Sequence, residues 1–157
     1  MEIERKFLVK DPPDNLSSYP SRKIIQGYIN VSANGDEDRI RQDKDKFERT
    51  KKTGSGLARG ETTISLTKEQ FDELWPSTEG KRVEKVRTAI PYQDLTIEVD
   101  VYEGSLSGLV TAEVEFPSEA AALGFTPPDW LLDAEDVTRI KGYKNQNLAT
   151  KGVPQDQ

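Results

Sequence analysis

The 157-residue sequence contains no cysteine and no histidine. Those absences exclude disulfides, thiolate zinc sites, cysteine nucleophiles, serine-histidine triads and imidazole acid-base chemistry together. An enzyme built from what remains works with carboxylates, Lys, Arg, Tyr and hard metal ions that prefer oxygen. Long apolar runs are missing too. No segment approaches the roughly 18 residues of a membrane helix, and the N-terminus reads as a strand rather than a signal peptide. The expectation is a cytoplasmic protein with no membrane partner. Positive charge is in deficit, 22 bases against 28 acids for a net charge of −6, which argues against a nucleic-acid binder held by counterion release. Hydrophobic residues make up 34% and charged ones 32%, so the core must be economical and many faces polar. One domain covering 1–157 is expected, with a tail from about 151 that frays.

What is present is alternation at period two. Met1 to Val9 places Glu2, Glu4 and Lys6 on one strand face, with same-face sites roughly 6 to 7 Å apart. Lys23 to Val31 puts Gln26, Tyr28 and Asn30 together, and Asn34-Gly35 marks a hairpin. The returning strand carries Arg39 and Arg41 on one face. Strands follow over 47–52 and 57–66, separated by a turn at Gly54-Ser55-Gly56. A helix starts after Thr67, whose hydroxyl caps it with Gln70 three residues on, and Pro76 ends it. Further strands over 81–92, 95–102 and 109–116 align Lys85 with Arg87, Glu98 with Asp100, and Glu113 with Glu115. A short helix is expected over 118–123 and another over 138–150, while Trp75 and Trp130 read as packing residues.

About eight strands one hairpin step apart imply a mainly antiparallel β architecture with a few helices. The charged strand faces carry as many acids as bases. Two architectures accommodate them. In a sandwich they point to water and contribute little. In a closed barrel they line a wet interior, and because each desolvated ion costs several kcal/mol, such an interior needs water, metal or a polyanion in it.

The ordered motifs resemble the CYTH superfamily, the triphosphate tunnel metalloenzymes. They are Glu2-Ile3-Glu4-Arg5-Lys6, Gln26-Gly27-Tyr28, Arg39-Ile40-Arg41, Thr50-Lys51-Lys52, Arg59-Gly60-Glu61, Glu84-Lys85-Val86-Arg87, Glu98-Val99-Asp100, Glu113-Val114-Glu115 and Tyr143-Lys144-Asn145. They span nearly the whole chain and are most similar to the short bacterial members. The resemblance implies an eight-stranded antiparallel β-barrel tunnel with a charged lumen and flanking helices. It assigns Lys6, Arg39, Arg41, Lys52, Arg59, Lys85 and Arg87 to the triphosphate. Glu2, Glu4, Asp100, Glu113 and Glu115 fall to Mg²⁺ or Mn²⁺, with Lys85 and Glu4 taking part in catalysis. Two departures stand out: Thr63 where the family often has a second acid, and Gly142 where it often has Arg. Arg139 and Lys141 are nearby sources of that missing charge.

The implied activity is metal-dependent hydrolysis of inorganic tripolyphosphate to pyrophosphate and phosphate, by a monomer or homodimer. A class IV adenylyl cyclase, a thiamine or nucleoside triphosphatase acting on ATP, and a non-catalytic polyphosphate- or nucleotide-binding module share the same grip on a triphosphate. The short chain offers no evident extra segment for a purine or thiamine, which favours the bare inorganic substrate.

Overall fold

The computed structural model describes residues 3–53 and 60–155. Within them one antiparallel sheet dominates. Its strands are β1 (Glu4–Leu8), β2 (Ser21–Val31), β3 (Glu37–Asp43), β4 (Lys46–Thr53), β5 (Gly60–Leu66), β6 (Arg82–Tyr92), β7 (Leu95–Tyr102), β8 (Val110–Glu115) and β9 (Glu135–Asp136). The order across the sheet is β5-β4-β3-β2-β6-β7-β8-β1-β9. Short helices α1 (Lys68–Leu74), α2 (Glu119–Leu123) and α3 (Asn145–Lys151) flank it.

The mainly β class follows the sequence pattern, but the sheet has nine strands and does not close. Its two ends, β5 and β9, are not paired to each other among the described residues. The reason lies at β1. Its outer edge is taken by the 135–138 segment: Phe7 and Leu8 pair with β9, Val137 N donates to Lys6 O at 2.8 Å, and Lys6 N donates to Thr138 Oγ1 at 2.9 Å. A backbone edge already hydrogen-bonded to one segment cannot also receive β5. The tunnel is therefore a deeply curved trough with one open side.

Alternation sorts side chains between the two faces. Outside the curve, Phe7, Ile97, Val99, Ala112 and Val114 are buried beneath α2 and the 125–131 stretch. Phe71 of α1 packs against Phe47 of β4 and Trp75, with ring centroids 5.1 and 5.2 Å apart. The capping box of α1 forms as the sequence implies, Thr67 accepting from Gln70 N and Gln70 accepting from Thr67 N. A second cluster closes one end of the inner face: Val83, Tyr102, Leu106 and Leu109 meet Val137, Tyr143 and Leu148 of the C-terminal segment. The helix expected over 138–150 forms only from Asn145, because Lys144 is extended (φ −69°, ψ 141°). Beyond α3 the chain turns at Gly152, and Pro154 lies where a Cβ on Gly142 would be 2.7 Å from its Cγ.

Candidate active site

The inner face of the trough encloses a cavity of about 680 Å³. Strand pleating brings Glu4 and Lys6 of β1, Arg39 and Arg41 of β3, Lys52 of β4, Arg87 of β6, Glu98 of β7, and Glu113 and Glu115 of β8 to its wall. Lys85 and Asp100 are absent from that wall and lie beneath Arg87, with side chains 0% exposed. Glu2, Arg59 and the Gly54-Ser55-Gly56 turn fall outside the described residues.

Both signs of charge occur around the wall: Arg39, Arg41 and Lys52 stand with Glu37, Glu48 and Glu61 on β3 to β5, and Lys6 and Arg87 with Glu4, Glu98, Glu113 and Glu115 on the far strands. Arg39 and Arg41 each carry a buried Nε with no hydrogen-bond partner among the described residues. Burial, then the neighbouring Arg39 and Arg87, lowers the Arg41 guanidinium to about 10. It stays charged at neutral pH, at a cost an anion would relieve. Opposite, β1 and β8 pair so that Glu4 faces Glu115 and Lys6 faces Glu113. Lys6 Nζ donates to the Tyr143 carbonyl and lies 3.7 Å from Glu113 Oε1. Its pKa is lowered, burial outweighing the attraction of Glu113.

Below the cavity, Arg87 reaches Asp100 with two hydrogen bonds, Nε to Oδ1 at 2.7 Å and Nη2 to Oδ2 at 2.8 Å. Its Nη1 extends to Glu98 Oε2 at 3.4 Å. Lys85 Nζ is 3.0 Å from Asp100 Oδ2, an ion pair without the angle of a hydrogen bond. Both oxygens of Asp100, expected in the sequence as a metal ligand, face these cations, and its side chain is not part of the cavity wall. Burial pushes the Lys85 ammonium down to about 8 although Asp100 opposes the shift.

Could the carboxylates hold a metal? Among the described residues no three of them gather tightly enough to enclose an ion alone. Glu4 and Glu115 do stand directly opposite across β1 and β8, a like-charge arrangement that costs free energy and that a cation relieves. Glu113 follows on the same face. A hard divalent ion that keeps waters and takes oxygens from a bound phosphate needs only one or two such carboxylates. The donor set fits that kind of ion.

Several wall residues were not among those expected. Tyr28 borders the cavity from β2 and is 1% exposed; Gln26 Nε2 donates to its hydroxyl at 2.9 Å. The shared face of Gln26 and Tyr28 was the available signal. Thr63 pairs with Thr50, hydroxyl to hydroxyl at 2.9 Å, where a second acid was the alternative. Of the C-terminal bases, Lys144 lines the cavity, and Arg139 and Lys141 do not. Asn145 accepts from Tyr102 Oη at 2.7 Å and fixes the start of α3 over the closed end.

No family model matches the sequence. Two curated relatives do. An inorganic triphosphatase of Nitrosomonas europaea is 46% identical over 150 residues, 94% of this chain and 96% of the relative. Another from Acetivibrio thermocellus is 33% identical over 150 residues, 94% of this chain and 92% of the relative. Among solved structures, the inorganic triphosphatase NE1496 superposes with a TM-score of 0.75 at 40% identity, covering 98% of this chain and 97% of that one. The Hippeastrum protein HpAC1 shares the fold at a TM-score of 0.55 and 17% identity, over 79% of this chain and 83% of its own. The arginine-lined trough, its facing carboxylates and full-length likeness to these relatives place the chain in the CYTH-type inorganic triphosphatase family.

Proposed function

We propose that this chain is itself an inorganic triphosphatase, cleaving tripolyphosphate to pyrophosphate and phosphate in the trough. The observation that carries the reading is the pair of buried Nε donors on Arg39 and Arg41, without partners among the described residues, which border a cavity that carboxylates also line. Guanidinium groups suit bidentate contact with phosphate oxygens, and Lys52 adds mobile positive charge on the adjacent strand. The aliphatic wall residues, Val137 and Ile140, both belong to the C-terminal segment. The polar remainder suits a substrate made of phosphates alone.

Glu4, Glu113 and Glu115 are the residues we assign to Mg²⁺ or Mn²⁺; Glu2, expected beside them from the sequence, lies outside the described residues. A divalent ion bound there supplies Lewis-acid polarisation of phosphoryl oxygens and acidifies water. The chain's own residues do the rest. Arg39, Arg41 and Lys52 hold the chain of phosphates so that the terminal phosphorus meets water in line with the bridging oxygen. Glu4 orients that water and takes its proton. A bond forms from the water oxygen to the terminal phosphorus while the bridging P–O bond breaks, and pyrophosphate leaves with the bonding electrons. Arg87 meets the charge that spreads over the phosphate oxygens. Asp100 and Lys85 fix Arg87 from below.

The test is phosphate release from tripolyphosphate, ATP, thiamine triphosphate and pyrophosphate, each with Mg²⁺ or Mn²⁺, plus an assay for cyclic AMP. Release from tripolyphosphate well above the others is the expected outcome. Cyclic AMP from ATP, or preferential hydrolysis of a nucleotide, overturns the assignment.

A further inference from the structure

Two side chains on the inner face of β2 stand apart from the charged wall. Gln26 is 0% exposed and Tyr28 is 1% exposed. They sit opposite the two arginines, Gln26 beside Arg41 and Tyr28 beside Arg39 in the β2–β3 register. Just past Tyr28 the register shifts by one residue, the kind of irregularity that re-aims a strand side chain. The Gln26 amide donates to the Tyr28 hydroxyl oxygen at 2.9 Å, and its own carbonyl oxygen is buried with no partner among the described residues.

That last fact needs an explanation. A buried amide with half its hydrogen-bonding capacity unmet is less favourable than an apolar side chain of the same size. Stability is therefore not the reason for a glutamine here. What the amide does accomplish is directional. A phenol oxygen that accepts a hydrogen bond on its Gln26 side turns its own hydrogen elsewhere. Tyr28 borders the cavity, and the only hydrogen bond of its hydroxyl among the described residues is the one from Gln26. The proton is thus left for whatever occupies the cavity. Burial raises the phenol to about 12, so it remains a neutral O–H donor throughout the working range.

We propose that Gln26 is a positioning residue for the triphosphatase reaction: by donating to Tyr28 Oη it turns the phenol O–H toward the cavity, where it donates to a phosphoryl oxygen of the substrate. This rests on the triphosphatase reading. The arginines supply charge to any polyanion; an uncharged donor of fixed direction adds geometric selection among its oxygens. The effect belongs to Gln26 only through Tyr28.

A double-mutant cycle tests it. Gln26→Met keeps the volume and removes the donor; Tyr28→Phe removes the O–H. Rates and KM are measured with Mg²⁺ and tripolyphosphate, alongside melting temperatures and tripolyphosphate affinity by calorimetry. Gln26→Met is expected to lower kcat about tenfold, the order of one oriented hydrogen bond, while melting no lower than wild type. In the Tyr28→Phe background the same substitution should change nothing further. Gln26→Glu, which accepts rather than donates and so turns the phenol proton away from the cavity, should be as slow as Tyr28→Phe. Equal rates for Gln26→Met and wild type, or additive losses in the cycle, overturn the proposal while leaving the triphosphatase reading intact. Should wild type bind tripolyphosphate without cleaving it, the cycle is read on affinity, and additivity there is equally decisive. A wild type that neither binds nor cleaves tripolyphosphate removes both.

Discussion

Arg87 grips Asp100 side-on, with Nε and Nη2 reaching the two carboxylate oxygens at 2.7 and 2.8 Å, and Lys85 shares the second oxygen. Two cations thereby meet a single buried anion, Arg87 from the cavity wall and Lys85 from beneath it. Breaking such a cluster is costly because it leaves charge uncompensated away from water. Asp100→Asn keeps the shape and removes the anion. It should lower stability by about 3 kcal/mol and reduce tripolyphosphate turnover, since Arg87 loses its anchor. Denaturant melts and phosphate release check both. An unchanged midpoint would show that Lys85 and Arg87 do not need the carboxylate.

The same cluster sets a pH dependence in two separate windows, and stability rises with pH through both. Burial alone would raise the Asp100 carboxyl, but Lys85 and Arg87 reverse this and hold it well below its ordinary 3.8. A depressed carboxylate stabilises the fold above its unfolded pKa and loses that contribution as pH falls through the folded value. Wild type should therefore lose stability below about pH 4, and Asp100→Asn should lack that part of the slope. For Lys85, lowered by burial to about 8 from 10.5, the unfolded chain binds more protons between those values. This group's contribution should then rise with pH across that interval, and Lys85→Met should remove the rise. Melting temperatures from pH 3 to 10.5 in constant salt separate the two.

The sequence made the strand faces legible because period-two alternation is a local property. Glu4 with Lys6, Arg39 with Arg41, and Glu113 with Glu115 could be paired along their own strands without knowing which strands were neighbours. Register across strands is not local, and so the burial of Asp100 beneath Arg87 and the open side of the trough were not visible. Closure hinged on β9, two residues long, too short to leave a pattern. Two hairpins turn on Lys44 and Gln93, non-glycine residues at φ 57° and 56°, where no Asn-Gly signal exists. Tyr28 and Gln26 shared a face in the sequence, but their role appears only once the phenol is seen at the cavity wall.

Metal dependence should trace to the β1–β8 wall. Glu4 and Glu115 are cross-strand partners, and Glu113 is next on the same face. Glu4→Gln and Glu115→Gln each remove one oxygen anion and one source of like-charge repulsion. Both should raise the Mg²⁺ concentration needed for half-maximal phosphate release by tenfold or more, on the order of one lost carboxylate ligand. The melting temperature of the metal-free protein should change less than the Mg²⁺ requirement, because the repulsion each substitution relieves offsets the lost attraction, as of Glu4 for Lys6. Chelator should abolish turnover in wild type. Full activity in chelator, or an unaltered Mg²⁺ requirement in both variants, would remove the metal from this wall.

Behind the wall, Gly27 separates Gln26 from Tyr28 and faces the opposite way, toward Thr78. A Cβ on Gly27 would lie 2.5 Å from both Thr78 Cβ and Oγ1, well inside contact distance. Thr78 has little room to retreat. Its hydroxyl donates to Trp75 O at 2.7 Å and accepts from Arg82 Nε at 2.9 Å, while the Arg82 guanidinium lies 4.2 Å from the Trp75 ring centroid. Gly27→Ala must shift either this outer layer or the strand that carries Tyr28. The expected cost is about 1–3 kcal/mol, as for other overpacked sites, or roughly 2–4 °C of melting temperature per kcal/mol at this chain length. Thr78→Gly alone should also destabilise, by losing the two hydrogen bonds. Combined, the two should cost less than their sum, because Thr78→Gly vacates the volume that the new methyl needs. Strict additivity of the two melting shifts would mean that the backbone, rather than Thr78, absorbs the extra atom.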